Sequence, residues 1–139
     1  MKKILLYILF IACIFCSCND TLDIQQIYSF ELRTMPVPKR IMRDETVEIR
    51  CQIVKEGYFS GTQYFIRYFQ PDGRGELHLD DGRYLLPNDL YLLKNDTFRL
   101  YYTSRSADAQ TIDIYIEDTF GQVIKKTLSF SNENSSDNK

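Results

Sequence analysis

From Thr46 to Val54 the chain reads TVEIRCQIV. Val47, Ile49, Cys51 and Ile53 fall on one side of it, and Glu48, Arg50 and Gln52 on the other. A period of two places successive side chains on opposite faces of an extended backbone, so this stretch predicts a strand with one dry face and one wet face. The pattern returns at 63–70 (QYFIRYFQ), 75–79 (GELHL), 97–102 (TFRLYY), 111–117 (TIDIYIE) and 123–130 (VIKKTLSF). In 63–70 it sets Tyr64, Ile66 and Tyr68 against Phe65, Arg67 and Phe69, and in 75–79 it sets Leu77 and Leu79 against Glu76 and His78. No window of about a dozen residues beyond the N-terminal segment carries a helical stripe. Ten Tyr and nine Phe with no Trp fit the same reading, because aromatic side chains suit a pleated, half-buried surface.

Between the alternating stretches lie PDGRG (71–75), DDG (80–82), PND (87–89), KND (94–96) and DTFG (118–121). They supply Pro, Asn, Asp and Gly where a chain must reverse. Seven or eight short strands at this spacing predict an all-β domain, an antiparallel immunoglobulin-like β-sandwich, with a small β-barrel as the alternative because patterning does not settle closure. Cys51 stands where the first core cysteine of an immunoglobulin domain would, yet TIDIYIE offers no mate and there is no core Trp. It reads as a small buried hydrophobe.

The N-terminus follows other rules. Lys2 and Lys3 precede the apolar run ILLYILFIACIFC (4–16), which meets the small Ser17 and then Cys18, after which the chain turns polar. The run is short of the roughly 20 apolar residues that cross a bilayer and has the layout of a secretory signal. A bacterial lipoprotein signal ends at a cysteine that is acylated and becomes the first residue, and Cys18 is the expected lipidation site. Cys16 and Phe15 depart from the usual residues upstream of such a cysteine. A metal site on Cys13, Cys16 and Cys18 would need a fourth ligand and a polar, folded setting, which residues 4–16 do not supply. The expected organisation is signal peptide 1–17, lipidated cysteine and tether 18–23, sandwich domain 24–131 and, by composition, a disordered tail 132–139. Removing residues 1–17 leaves 122 residues and shifts the net charge from −2 to −4.

Chemistry is sparse. With one histidine, His78, and no GxSxG, HExxH, P-loop or GxGxxG pattern, the sequence offers no catalytic residue and no cofactor or metal site. Glu76, His78 and Asp80 alternate, but with Leu77 and Leu79 turned to the core they read as the wet face of a strand. Lys39, Arg40 and Arg43 are followed at once by Asp44 and Glu45 and read as a solvated loop. The near-balanced charge gives no footprint for direct nucleic-acid binding. In YFIRYF and LYY both strand faces carry aromatic residues, so Phe65, Phe69 and Tyr101 are the candidate protein-binding residues.

The stretches LDIQQIYSFELRTMPVPKRI, YFIRYFQPDGRGELHLDDGRYLLPNDLY and FRLYYTSRSADAQTIDIYIEDTFGQ resemble the TraQ-like proteins of conjugative transposons in Gram-negative gut anaerobes, over residues 22–131. The resemblance implies a non-enzymatic lipoprotein accessory of a conjugative transfer apparatus, with other envelope proteins of that apparatus as partners and no small-molecule substrate. It brings no catalytic residues with it. The expected location is the cell envelope, with the lipid in the outer membrane and the domain in the periplasm. A glycan-binding immunoglobulin-like lipoprotein is the alternative.

Overall fold

The structure, a computed structural model, describes residues 2–4 and 27–132. Within them run β1 (Phe30–Thr34), β2 (Arg40–Ile41), β3 (Thr46–Lys55), β4 (Tyr64–Asp72), β5 (Gly75–Leu79), β6 (Tyr84–Leu85), β7 (Tyr91–Leu93), β8 (Thr97–Ser104), β9 (Gln110–Asp118) and β10 (Val123–Asn132). Two five-stranded sheets form, ordered β1-β3-β8-β5-β6 and β2-β10-β9-β4-β7. All pairings are antiparallel except that of β2 with β10. The orders β1-β3-β8-β5 and β10-β9-β4 reproduce the two sheets of an immunoglobulin constant-type domain. The two sheets remain separate, which decides for the sandwich over the barrel.

Seven strands are five residues or longer, in line with the sequence pattern; β2, β6 and β7 are two or three residues each, too short to show an alternation. Strand β10 ends at Asn132, the residue at which the sequence reading begins the tail. Apart from residues 2–4, the expected signal lies outside the described residues, as do Cys18 and the rest of the tail.

Alternation becomes core in a direct way. Ile49, Ile66, Leu77, Leu100, Ile112, Ile114 and Ile116 are fully buried between the sheets, with Tyr102 and Phe130 stacked at 5.6 Å. Each buried aliphatic side chain contributes about 1.5–3 kcal/mol relative to leaving it exposed. Cys51 is buried among them, its thiol contacts the Ile49 carbonyl oxygen at 3.7 Å, and burial pushes its pKa up to about 12.

Turn chemistry fixes the ends. In DTFG, Asp118 Oδ1 accepts from the N–H groups of Phe120 at 2.9 Å and Gln122 at 2.8 Å, and Gly121 takes the left-handed φ of 84° that the reversal needs. Gly75 allows β5 to pass against Tyr102, whose ring carbons would lie 2.4 Å from a Cβ at that position. The chain enters the domain at the same pole as the β9–β10 turn, where the Tyr28 carbonyl accepts from Gln122 Nε2 at 3.0 Å. The opposite pole collects the connections β2–β3, β4–β5 and β8–β9.

Candidate functional site

Residues that alternate away from the core populate the outer face of the sheet β2-β10-β9-β4-β7. Along β4 these are Phe65, Arg67 and Phe69. Phe65 lies opposite Leu92 of β7 on one side and Glu117 of β9 on the other, and Arg67 lies opposite Tyr115. Phe69 meets Tyr115 edge-on at 5.6 Å, and the Arg67 guanidinium stands 5.9 Å from the Phe69 ring and 5.7 Å from the Tyr115 ring. Arg67 Nη2 also pairs with Glu117. Lys125, across from Tyr115 on β10, pairs with Asp113 at 3.0 Å.

The apolar surface continues to the edge of the sheet. The β6–β7 connection folds back on β4, where the Asn88 N–H donates to the Tyr68 carbonyl at 2.9 Å. It carries Leu86 and Leu90, 61% and 51% exposed, and leads into Leu92 at 39%, opposite Phe65 on β4, with Phe69 further along β4 at 36%. Arg67 and Lys125 on this face are each paired with a carboxylate, while Arg67 Nε is buried without a hydrogen-bond partner among the described residues, so the character of the face is largely aromatic and aliphatic. Tyr, Phe and Arg in such a setting are the residue types that anchor protein interfaces.

The three aromatic residues singled out from the sequence therefore separate. Phe65, half-buried, and Phe69 share the strip. Tyr101 is on β8, on the outer face of the other sheet, where it stacks on His78 at 5.0 Å while Tyr84 approaches His78 from the other side at 5.1 Å. Leu92 and Tyr115 belong to the strip and were not singled out, nor were the exposed Leu86 and Leu90 of the neighbouring connection. The run LLPNDLYLL, with its break at PND, was a visible signal that residues near a turn were unusually apolar.

Sheet edges are less suited to pairing with another chain. The outer edge at β7 is occupied by Arg83, whose Nη2 donates to the Leu92 carbonyl at 2.9 Å. On β10, Lys126 lies opposite the inward-facing Ile114, so its charge is on the core side of an edge segment, a device that discourages strand addition.

Glu76, His78 and Asp80 do not make a site. Glu76 Oε2 accepts from Arg105 at 3.2 Å, His78 is stacked between tyrosines, and Asp80 Oδ2 accepts from the Arg99 N–H at 3.3 Å. Among the described residues no group of three His, Cys, Asp or Glu side chains is placed to hold a metal ion, and no helix is long and apolar enough to cross a membrane.

Comparison with known proteins places this geometry. Among functionally curated proteins none matches. A conjugative transposon lipoprotein from Bacteroides eggerthii, solved by crystallography, is 47% identical with a TM-score of 0.71, over 75% of this chain and 98% of its own. A lipoprotein from Bacteroides thetaiotaomicron, solved by NMR, is 59% identical with a TM-score of 0.71, over 84% of this chain and 90% of its own. A conjugate transposon protein from Bacteroides vulgatus, also an NMR structure, is 50% identical with a TM-score of 0.70, over 86% and 98%. The family model described as TraQ conjugal transfer protein matches residues 2–133, almost the whole chain. On that match and these relatives, the chain belongs to the TraQ family of conjugal transfer proteins.

Proposed function

We propose that the protein is a non-enzymatic, lipid-anchored component of the cell envelope that serves a conjugative transfer apparatus by binding another protein of that apparatus. The observation that carries this reading is the strip formed by Leu92, Phe65, Arg67, Phe69 and Tyr115, extended by Leu86 and Leu90. These side chains lie outside the buried core, and half-exposed and exposed apolar residues gathered on one outer face mark a place of contact. The mechanism is placement: acylated Cys18 holds the domain at the outer membrane, the strip faces the periplasm, and aromatic anchors recruit the partner. The description of the Bacteroides relatives as lipoproteins supports the anchor. Diacylation suffices for stable attachment where one chain would hold only marginally.

The sugar-binding alternative asks for ring faces open on a concave surface. Tyr101 commits one ring face to His78, and Phe69 is engaged by Tyr115 and Arg67, so protein contact is the better supported reading.

The test is cross-linking and capture from cells carrying the transfer genes. Wild-type protein and a Tyr84→Ser variant on the opposite sheet should recover the same envelope protein, while Phe69→Ser and Leu92→Ser, with unchanged circular dichroism, should lose it. Cys18→Ala should abolish both acyl mass and membrane association. Capture indifferent to the strip variants, or a sugar-array signal that depends on them, would refute the proposal.

A further inference from the structure

At the pole opposite Tyr28, the connections 42–45, 73–74 and 105–109 surround an open cleft of about 430 Å³, walled by Arg43, Arg74 and Arg105 with residues 106–108. Arg105 is held from two sides, by Asp44 Oδ1 at 2.8 Å and Glu76 Oε2 at 3.2 Å. Among the described residues no carboxylate pairs with Arg43 or Arg74, so two guanidinium forks are uncommitted.

The cleft is built on fixed parts. The Arg105 N–H donates to the Arg74 carbonyl at 2.8 Å, the Asp44 N–H to the Ser104 carbonyl at 2.8 Å, and the Ser104 N–H to the Glu45 carbonyl at 2.9 Å, which ties the three connections together. Below them, Gln110 Nε2 donates to Ser104 Oγ at 2.7 Å, and Ser104 Oγ donates to the Ser106 carbonyl at 3.1 Å. Gln110 and Ser104 are both fully buried, so this floor is part of the packed interior. The backbone that carries the arginines is ordered beforehand, so binding costs only the conformational freedom of the Arg43 and Arg74 side chains.

We infer that this cleft is a second binding site, for carboxylate side chains of an acidic segment on a protein partner, with the uncommitted Arg43 and Arg74 as the ligating groups and Arg105, already paired with Asp44 and Glu76, as a fixed wall. A planar guanidinium fork matches a carboxylate through paired N–H donors. A nucleic-acid backbone is the poorer fit. Asp44 and Glu76 compensate Arg105, which leaves only two uncommitted guanidinium groups, enough for one or two carboxylates, whereas phosphate backbones are bound by longer runs of uncompensated positive charge. A lipid headgroup is disfavoured by position. The ten residues of β3 set the two poles roughly 30 Å apart, and the N-terminus enters at the other one. The inference rests on the protein-binding reading only for the source of the carboxylate; the strip and the cleft are separate surfaces.

The experiment is an NMR titration of the isotope-labelled full chain in detergent micelles with a hexa-aspartate peptide. Expected are amide shifts confined to 43–45, 73–74 and 105–108, and at least tenfold weaker binding in R43Q/R74Q, a pair of exposed residues whose loss leaves the core intact. Phe69→Ser should bind the peptide as wild type does, so failure of the strip and failure of the cleft are distinguishable. Absence of shifts at the cleft, binding unchanged in R43Q/R74Q, or tighter binding of an oligothymidylate or of phosphatidylglycerol vesicles through the same arginines would each overturn the inference.

Discussion

Replacing Tyr102 by Phe removes one oxygen from the interior and little else. The Tyr102 hydroxyl accepts from Gln70 Nε2 at 2.6 Å and donates to Gln110 Oε1 at 2.6 Å. Burial pushes the phenol pKa above its usual value, so the group is a neutral donor at physiological pH. In the variant the ring still stacks on Phe130, and Gln70 keeps its contact with the Asp72 carbonyl at 3.2 Å. Gln110 Oε1 is the atom that suffers, because Gln110 is only 1% exposed and its acceptor loses its donor. Leaving such a group unsatisfied costs about 1–3 kcal/mol. For a domain of this size each kcal/mol lowers the melting temperature by about 4–8 °C, so a fall of about 5–20 °C is expected. Far-UV circular dichroism is the suitable readout, since there is no Trp and the tyrosine signal itself is altered by the substitution. Combining Tyr102→Phe with Gln110→Met removes both partners, and the double variant should be less destabilised than the sum of the two single variants. A melting temperature unchanged in Tyr102→Phe, or strict additivity in the cycle, would refute the argument that this hydroxyl is held in a satisfied buried network.

Two further outcomes follow from the electrostatics. With its pKa near 12, the Cys51 thiol carries about one thiolate in 10,000 at pH 8, so the peptide containing it should stay unmodified by iodoacetamide in folded protein and label only as denaturant opens the sandwich. Labelling at the rate of a free thiol in native buffer would contradict the burial. Asp113 is held below the usual carboxylate range by the hydrogen bond from Thr127 Oγ1 at 2.6 Å and by the Lys125 ammonium. A depressed native pKa adds stability that is fully present above the unfolded value near 3.8 and fades as pH falls through the native one. Thermal melts of wild type and Asp113→Asn should therefore differ most at pH 5 and above and converge on acidification below about pH 4; a gap that widens on acidification would show the sign to be wrong.

How much of the site could be seen beforehand depends on which residues are considered. Phe65 and Phe69 were legible because a strand whose inward face is already Tyr64, Ile66 and Tyr68 must turn its other aromatic residues outward. Tyr101 satisfied the same local rule, yet it belongs to the other sheet, and membership of a sheet is a non-local pairing that alternation does not encode. Leu92 and Tyr115 were invisible as site residues for the converse reason. Each is one apolar residue in an ordinary strand until β7 and β9 line up on the two sides of β4. Arg43, Arg74 and Arg105 are scattered over 63 positions of sequence, and only the meeting of three connections at one pole makes them neighbours.

The sequence by itself determined that the described domain is all-β, where six of its seven long strands lie, which of their side chains face the core, and where the chain reverses between them. These depend on a period of two and on the backbone preferences of Gly, Pro, Asn and Asp, both of which act between residues close in sequence. Tertiary structure alone decided that the two sheets stay open as a sandwich, that the excursion through β6 and β7 returns to β4, and which exposed groups share a surface. Those outcomes are set by hydrogen-bond register between strands distant along the chain. A face or a cleft exists only once that register has brought together side chains that the sequence keeps apart.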